Sequence, residues 1–595
     1  MEYFLNKLNN ISIKILYNKY KKKIKNINIL YNNNKNKNIY GDININIYSI
    51  FFLKKKRIKK FGIKLGKIIK NKFYKYIYKY NLKNGFLNIF LNNLFYIKKI
   101  IYFIKINFNF KKLIYNKKKN EIKKIIEFSS PNSNKPLHIG HLRNILIGNT
   151  IANIYKILGY NVIKSQIIND RGIHICKAII YFKYFLKTPL KYKIKGDHYV
   201  GNLYFKFEKK LQQEIKLISN KYNISKEKAI KLSKLFKLVN NELIKWENKD
   251  FKTIYIWKKI NKLVYKGFNI TYNKLNIKFD EVIYESNTYL LGKKIIIKGI
   301  KKKIFFLDKD KSVYFLYKKK KIILLRNNGT SLYITQEIGT LLYRLKKYKK
   351  FNLLIYVVGN EQINHFKILF EIIKKINLSI YKNLYHLSYN TVNYLGKKIK
   401  SRYINNKKFI FIDDLIKIMK KYVKNKIKKY KNYKRRNIEF ISLGAIKYQF
   451  IKINPNKIID FNLNKTLKIK GNTGIYIQYT YARIYSILRL NKLSKILIYK
   501  NKYLKYIKNN EIDIIRLILE YNNLINRIIT KYDPSILTNY IYIISKKINN
   551  FYQKNKILNI NNIYKRNLRL IICKIILKFL YINMKILGIP ILKKI

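Results

Sequence analysis

His138 and His141 stand three residues apart, with Ile139 and Gly140 between them, where a helical stretch begins. Side chains at that spacing share one face of a helix. A helix start offers free N–H groups and the positive end of the dipole, which together favour phosphate. Gly140 has no side chain to keep a nucleotide away from the backbone. The arrangement suits the stabilisation of charge on a phosphate chain. It is also a rare one here, since only 6 His, 6 Pro and 21 Gly occur in 595 residues. Pro131, Pro136, His138, Gly140 and His141 crowd into eleven of them.

Such a pair needs a rigid mount, and the flanking sequence predicts one. Residues 122–128 (IKKIIEF) read as a strand. Ser129 to Pro136 reads as a loop, because proline and the residue before it resist helix. Leu142, Ile145, Ile151 and Ile154 then recur at helical spacing up to Gly159, and 161–168 (NVIKSQII) reads as a second strand. Strand, helix and strand make a βαβ unit, so an α/β parallel-sheet domain begins near residue 120. The same pattern resumes at 331–343, with a strand at 353–358 and a helix at 365–375. Between the two halves, 188–325 reads as an insertion with helical stretches and lysine tracts at 301–303 and 318–321. Upstream, 43–52 alternates with the period of a strand, 84–92 reads as turn and strand, and 18–38 is close to low complexity and reads as loops. From about 406 onward, helical periodicity dominates.

The chain carries 130 Lys+Arg against 28 Asp+Glu, a net charge of +102. Lys, Asn, Ile, Tyr and Phe dominate throughout, and all are encoded by A- and T-rich codons. Mutational bias therefore accounts for most of the lysine. Whatever its origin, such a charge attracts polyanions in a salt-dependent way. With 48% hydrophobic residues the chain can build large cores. Two cysteines, Cys176 and Cys573, exclude a disulfide scaffold and a cysteine-ligated zinc or iron–sulfur site. No apolar run of about 18 residues is free of Lys or Asn, so no membrane-spanning helix is expected. His174 and Cys176 read as packing residues, and His198 as structural.

The motif residues around His138 resemble the first signature of the class I aminoacyl-tRNA synthetases. That signature runs through Asn132, Lys135, Pro136, His138, Ile139, Gly140, His141 and Leu142. Glu127-Phe128-Ser129-Ser130-Pro131-Asn132 narrows the resemblance to arginyl-tRNA synthetases. So do Asn169-Asp170-Arg171-Gly172, the run Gly329 to Thr335, Tyr356 to Gln362 before His365, Gln478 to Ile484, and Tyr532-Asp533-Pro534-Ser535. The resemblance covers about 84–595, and 1–83 more weakly.

The fold it implies is α/β. A Rossmann-type parallel-sheet catalytic core would carry an insertion, an N-terminal α+β module and a C-terminal all-α anticodon-binding bundle. The corresponding segments are 1–115 (a tRNA-contacting module), 116–187 and 326–405 (the two core halves), 188–325 (the insertion), 406–470 (a helical linker) and 471–595 (the anticodon-binding domain). The activity implied is ATP-dependent formation of arginyl-adenylate and transfer of arginine to the terminal ribose of its tRNA. ATP would bind at His138, Gly140, His141, His365, Lys398, Lys400 and Ser401. The catalytic residues implied are His138, His141, Lys135 and Lys400. Arginine would be held by Glu127, Asn132, Tyr333, Glu337 and Gln362. Magnesium would arrive with ATP, with no dedicated metal site.

Two features depart from the family pattern. Glu337 stands where the family has Asp, and the second signature loop, Lys398-Ile399-Lys400-Ser401-Arg402, has its second lysine one place early and Tyr403 in place of a glycine. A lysine at position 135 can supply the displaced cation. The partners implied are L-arginine, ATP and the arginine tRNA, with a monomeric chain and a cytoplasmic location, an organelle being the alternative. Two alternatives stand beside this reading: a class I synthetase for another amino acid, and a degraded tRNA-binding protein without activity.

Overall fold

The structure, a computed structural model, describes residues 2–20, 29–31, 41–48, 55–114, 117–185, 194–327, 329–376, 378–394, 397–398, 411–427, 435–490, 500–555 and 557–594. Its centre is a sheet of five parallel strands. In spatial order they are Leu384–Tyr389, Leu353–Gly359, Lys123–Glu127, Asn161–Ile168 and Glu281–Tyr284. Ile125 and Ile126, successive residues of the middle strand, are both buried. A sheet covered on both faces requires this. The Ile139–Ile157 helix crosses from the middle strand to Asn161–Ile168. It packs closely because residue 148 is glycine: a Cβ there would lie 2.4 Å from Phe128 Cβ.

The chain leaves the middle strand toward one edge of the sheet and later returns on its other side, at Leu353–Gly359. Ligands of such sheets bind beyond the carboxyl ends of the strands at this reversal. The loop bearing His138 follows one of the two strands concerned, and the turn Asn360–Gln362 follows the other.

The expected βαβ unit, the strand at 353–358 and the helix at 365–375 are all present. Two expectations need correction. Glu281–Tyr284 falls inside 188–325 yet is an edge strand of the core sheet, so that stretch is not separate from the core. Ile459–Phe461 pairs in parallel with Val392–Tyr394, so the region after 406 is not wholly helical. Strands of three or four residues are too short to display a period. The remainder of 188–325 is mainly helical, notably Gly196–Tyr222, Lys234–Glu247, Phe251–Lys274 and Glu285–Lys301. The lysine tract at 318–321 is a hairpin turn, with Lys318 and Lys319 at φ 47° and 63°. Asn-Gly is the usual choice for such a turn, and here two lysines stand in it.

At the N-terminus, four antiparallel strands pack against helices, and one of them, Ile29–Tyr31, falls within the stretch 18–38 expected to be loops. Ile43, Ile45 and Ile47 point inward with the period of a strand, and Ile58, Phe61, Leu65 and Ile69 inward with that of a helix. The C-terminal bundle comprises Gly474–Leu490, Lys500–Tyr506, Asn509–Leu519, Tyr521–Lys531, Ser535–Lys554 and Ile563–Ile586. Asp42 ties the two ends of the chain together. It accepts hydrogen bonds from Leu91 N–H and Tyr96 Oη and pairs with Arg516 at 2.6 Å. Buried Lys447 donates to the carbonyls of Leu275 and Gly588, joining the insertion to the bundle, and burial pushes its pKa down to about 7. Among the described residues, no helix is long and apolar enough to cross a membrane.

Candidate active site

His138 caps the Ile139–Ile157 helix. Gly140 N–H donates to His138 Nδ1 at 3.1 Å, and His138 N–H donates to His141 Nδ1 at 3.1 Å. The two rings stack with centroids 3.8 Å apart. Because each Nδ1 accepts a hydrogen bond, each neutral ring carries its proton on Nε2. Burial, reinforced by the charge of Lys135, pushes the pKa of His138 down to about 3. Burial, then the neighbouring His138 and Lys135, hold His141 well below the usual range. At neutral pH the pair therefore presents two neutral Nε2–H donors rather than two cations. Gly140 has a second role here. A Cβ on it would come within 2.9 Å of the His138 ring and break the cap.

A small pocket lies beside this helix start, lined by Asn132, Asn169, Arg171, His174, Glu285 and Tyr333, among others. Asn132 and Asn169 follow adjacent strands and are joined by a hydrogen bond of 3.0 Å. Arg171 pairs with Glu247 at 2.7 Å, faces Glu285 at 4.0 Å and lies over the rings of Trp246 and Tyr289. Tyr333 is the first residue of the Tyr333–Tyr348 helix, and Glu337 follows it by one turn. Glu337 Oε2 is buried without a hydrogen bond. Burial, with the charges of Glu127 and Glu285 nearby, pushes its carboxyl up to about 8 against the opposing pull of Arg344. Glu127, at the end of the middle strand, forms an ion pair with Arg344 at 2.7 Å, both side chains being almost wholly buried. Arg344 also donates to Ser165 on the next strand.

The structure places Asn132 and Tyr333 in the pocket wall; Glu127 and Glu337 are not part of that wall, but Glu337 is buried within electrostatic reach of Glu127 and of the lining residue Glu285. The structure does not bring Gln362 to the pocket wall: that residue is exposed in the turn Asn360–Gln362. His365 is half-buried on the following helix, its pKa lowered by burial and by His386. Lys398 closes a short hairpin with Asn393. Lys400, Ser401, Arg402 and Tyr403 lie outside the described residues. Arg344 and Glu285 were not singled out by the motif reading, yet both act on the charge of Glu337.

One group among the described residues has the ligand types for a metal: Asp197, His198 and Asp413. Ammonium groups already hold it together. Lys195 and Lys274 lie 2.7 and 3.0 Å from Asp413. Burial opposes ionisation of Asp413, but hydrogen bonds from His198 and Lys195 prevail and hold it well below the usual carboxylate range.

Residues 105–464 match the family described as tRNA synthetases class I (R), catalytic domain, and residues 477–595 match the DALR anticodon binding domain. An arginine–tRNA ligase of Borreliella afzelii is 36% identical over 573 residues, covering 93% of this chain and 92% of the relative. The chain belongs to the arginine–tRNA ligase family. A second ligase, from Flavobacterium psychrophilum, is 35% identical over 86% of this chain and 85% of its own. The fold agrees with the Thermus thermophilus arginyl-tRNA synthetase at a TM-score of 0.78 and 18% identity, over 99% of this chain and 100% of the other. It also agrees with the Plasmodium falciparum enzyme at 0.74 and 22%, over 99% of each. These likenesses bear out the class I catalytic fold with a C-terminal helical domain.

Proposed function

We propose that this chain activates L-arginine with ATP and transfers it to the 3′-terminal ribose of its tRNA. The observation that carries the arginine specificity is Glu337, a buried carboxylate with an unbonded oxygen one turn below Tyr333. Glu127 already has a cationic partner in Arg344 and Glu285 faces Arg171 at 4.0 Å, whereas Glu337 has no ion pair among the described residues, which favours it as the partner of a guanidinium. In the first step the arginine carboxylate attacks the α-phosphorus. An O–P bond forms, the bond to the β-phosphate breaks, and pyrophosphate leaves with the magnesium that ATP brought. His138 and His141 supply Nε2–H donors to the phosphate oxygens, while the helix start and Lys135 add positive potential. A ribose hydroxyl of the tRNA then attacks the adenylate carbonyl and AMP departs. Alignment and charge stabilisation suffice, without a covalent enzyme intermediate.

We place the reaction in the cytoplasm, where these three substrates meet, and assign it to a monomer. ATP–pyrophosphate exchange with each of the twenty amino acids tests the reading. Exchange is expected with arginine alone, and only when the arginine tRNA is present. Exchange with another amino acid would reassign the substrate, and none at all would leave a tRNA-binding protein.

Glu337 gives a second, pH-based expectation. In the free chain its carboxyl is protonated at pH 7, because its pKa is pushed up to about 8. A bound cation favours the ionised form, so arginine binding releases a proton and strengthens as pH rises. Calorimetry should show affinity climbing toward about tenfold per pH unit below the shifted pKa and levelling off above it. Glu337→Gln should bind weakly and without this dependence. A flat wild-type profile from about pH 6 to 9 would remove Glu337 from the arginine site.

A further inference from the structure

Two positions beyond His141 on the same helix, Arg143 is completely buried. No carboxylate among the described residues pairs with it. Its guanidinium instead donates to five backbone carbonyls. Nη1 reaches Asn390 at 2.6 Å and Thr391 at 3.2 Å, and Nη2 reaches Asn454, Pro455 and Lys457 at 3.0, 3.1 and 2.7 Å. Burial lowers its pKa to about 10, which leaves it a cation at neutral pH.

These carbonyls belong to two distant segments. Asn390 and Thr391 lead directly into Val392–Tyr394, which pairs with Lys397–Lys398. Asn454 to Lys457 lead into Ile459–Phe461, which pairs with Val392–Tyr394 on its other side. The two segments also hold each other, since Asn390 Nδ2 donates to Asn456 O at 2.5 Å. Further along the chain, Phe411 returns to bridge His138, and Ile412 N–H donates to Leu137 O at 2.9 Å. The second segment is tied to the anticodon-binding domain as well, through Asn454 Nδ2 donating to Asp533 Oδ2 at 2.6 Å.

Residues two apart on a helix point about 200° apart. His141 therefore faces the phosphate side while Arg143 faces the hairpin, and one rigid helix carries both. A planar fork of N–H groups can serve five carbonyls in two segments, whereas a lysine ammonium has three donors.

We infer that Arg143 is a positioning residue: it fixes the strands ending at Lys398 relative to the histidine pair, and receives at Asn454 the influence of the anticodon-binding domain. The inference rests on the reading of Lys398 as part of the ATP site. It assigns Arg143 no contact with substrate.

The test uses the full chain. Wild type is assayed first for arginine-dependent pyrophosphate exchange with tRNA, and its absence would count against the proposed function alone. In the same assay, Arg143→Lys should raise KM for ATP at least tenfold and leave KM for arginine within about twofold. Asn454→Ala keeps the carbonyl that Arg143 uses but cuts the link to Asp533. It should lower the exchange rate at saturating tRNA at least threefold, with tRNA affinity unchanged. Equilibrium dialysis of ATP provides a readout independent of turnover, and Arg143→Lys should weaken ATP binding there too. The inference is overturned if KM rises equally for both substrates, or if ATP binding by Arg143→Lys matches wild type. An unaltered exchange rate at saturating tRNA in Asn454→Ala overturns the link to the anticodon domain, even if Arg143→Lys does not fold.

Discussion

His141→Ala is expected to slow adenylate formation by about 30- to 1000-fold, the loss of about 2–4 kcal/mol that follows removal of one preorganised donor. The substitution removes the Nε2–H that the proposed mechanism assigns to the phosphates and also the Nδ1 that accepts from His138 N–H. Its effect thus mixes catalysis with loss of a helix cap. His138→Asn separates them. Asparagine is among the best N-cap residues, so the helix start is kept while the Nε2 donor is lost. A large fall in single-turnover rate with an unchanged melting temperature is the expected result. Activity within threefold of wild type in both variants would end the assignment. The pH profile provides a further check. Both imidazoles are held neutral far below pH 6, His138 down to about 3, so neither should titrate between about pH 5.5 and 8.

Arg344→Met should be the most damaging single change in the core. It leaves Glu127 buried beside Glu337 with no cation to offset either. Removing one partner of a buried pair costs about 3–5 kcal/mol, because the other charge stays unpaired. A lower urea midpoint for unfolding of the catalytic domain would report this. Adding Glu127→Gln should recover much of the loss, since the stranded charge is then gone. The double variant should still bind arginine weakly, because Glu127 and Arg344 together set the charge around Glu337. A single Arg344→Met variant within about 1 kcal/mol of wild type would mean that the pair contributes little.

The elements nearest the chemistry were the most legible. The strand before Ser129, the helix after His138 and the strand at 161–168 fall where apolar spacing and the two prolines put them. Glu281–Tyr284 and Ile459–Phe461 escaped because a few residues cannot show a period. The lysine tract at 318–321 conceals a turn, because Lys318 and Lys319 take the left-handed backbone that Asn or Gly would have marked.

Within the site, Tyr333 and Glu337 were legible as a one-turn pair. The roles of Arg344 and Glu285 were not, since they depend on neighbours far away in sequence. One signal could have found Arg143 and Arg344. The chain has 14 arginines against 116 lysines, so an arginine marks a place where lysine will not serve. Arg143, Arg171, Arg344 and Arg569 are all buried.

The middle strand of the sheet has a consequence for how the chain is made. Lys123–Glu127 can pair with Asn161–Ile168 soon after leaving the ribosome, but its other edge waits for Leu353–Gly359. At about 5–20 residues per second that delay is on the order of ten to forty seconds. Throughout it, one edge of a buried strand stands open to any passing chain, and Glu127 lacks the arginine that neutralises it. The strand opens with Lys123 and Lys124, and charge at such an edge discourages mispairing. Lys123 and Lys124 thus place two charges on the edge that the chain's topology keeps waiting.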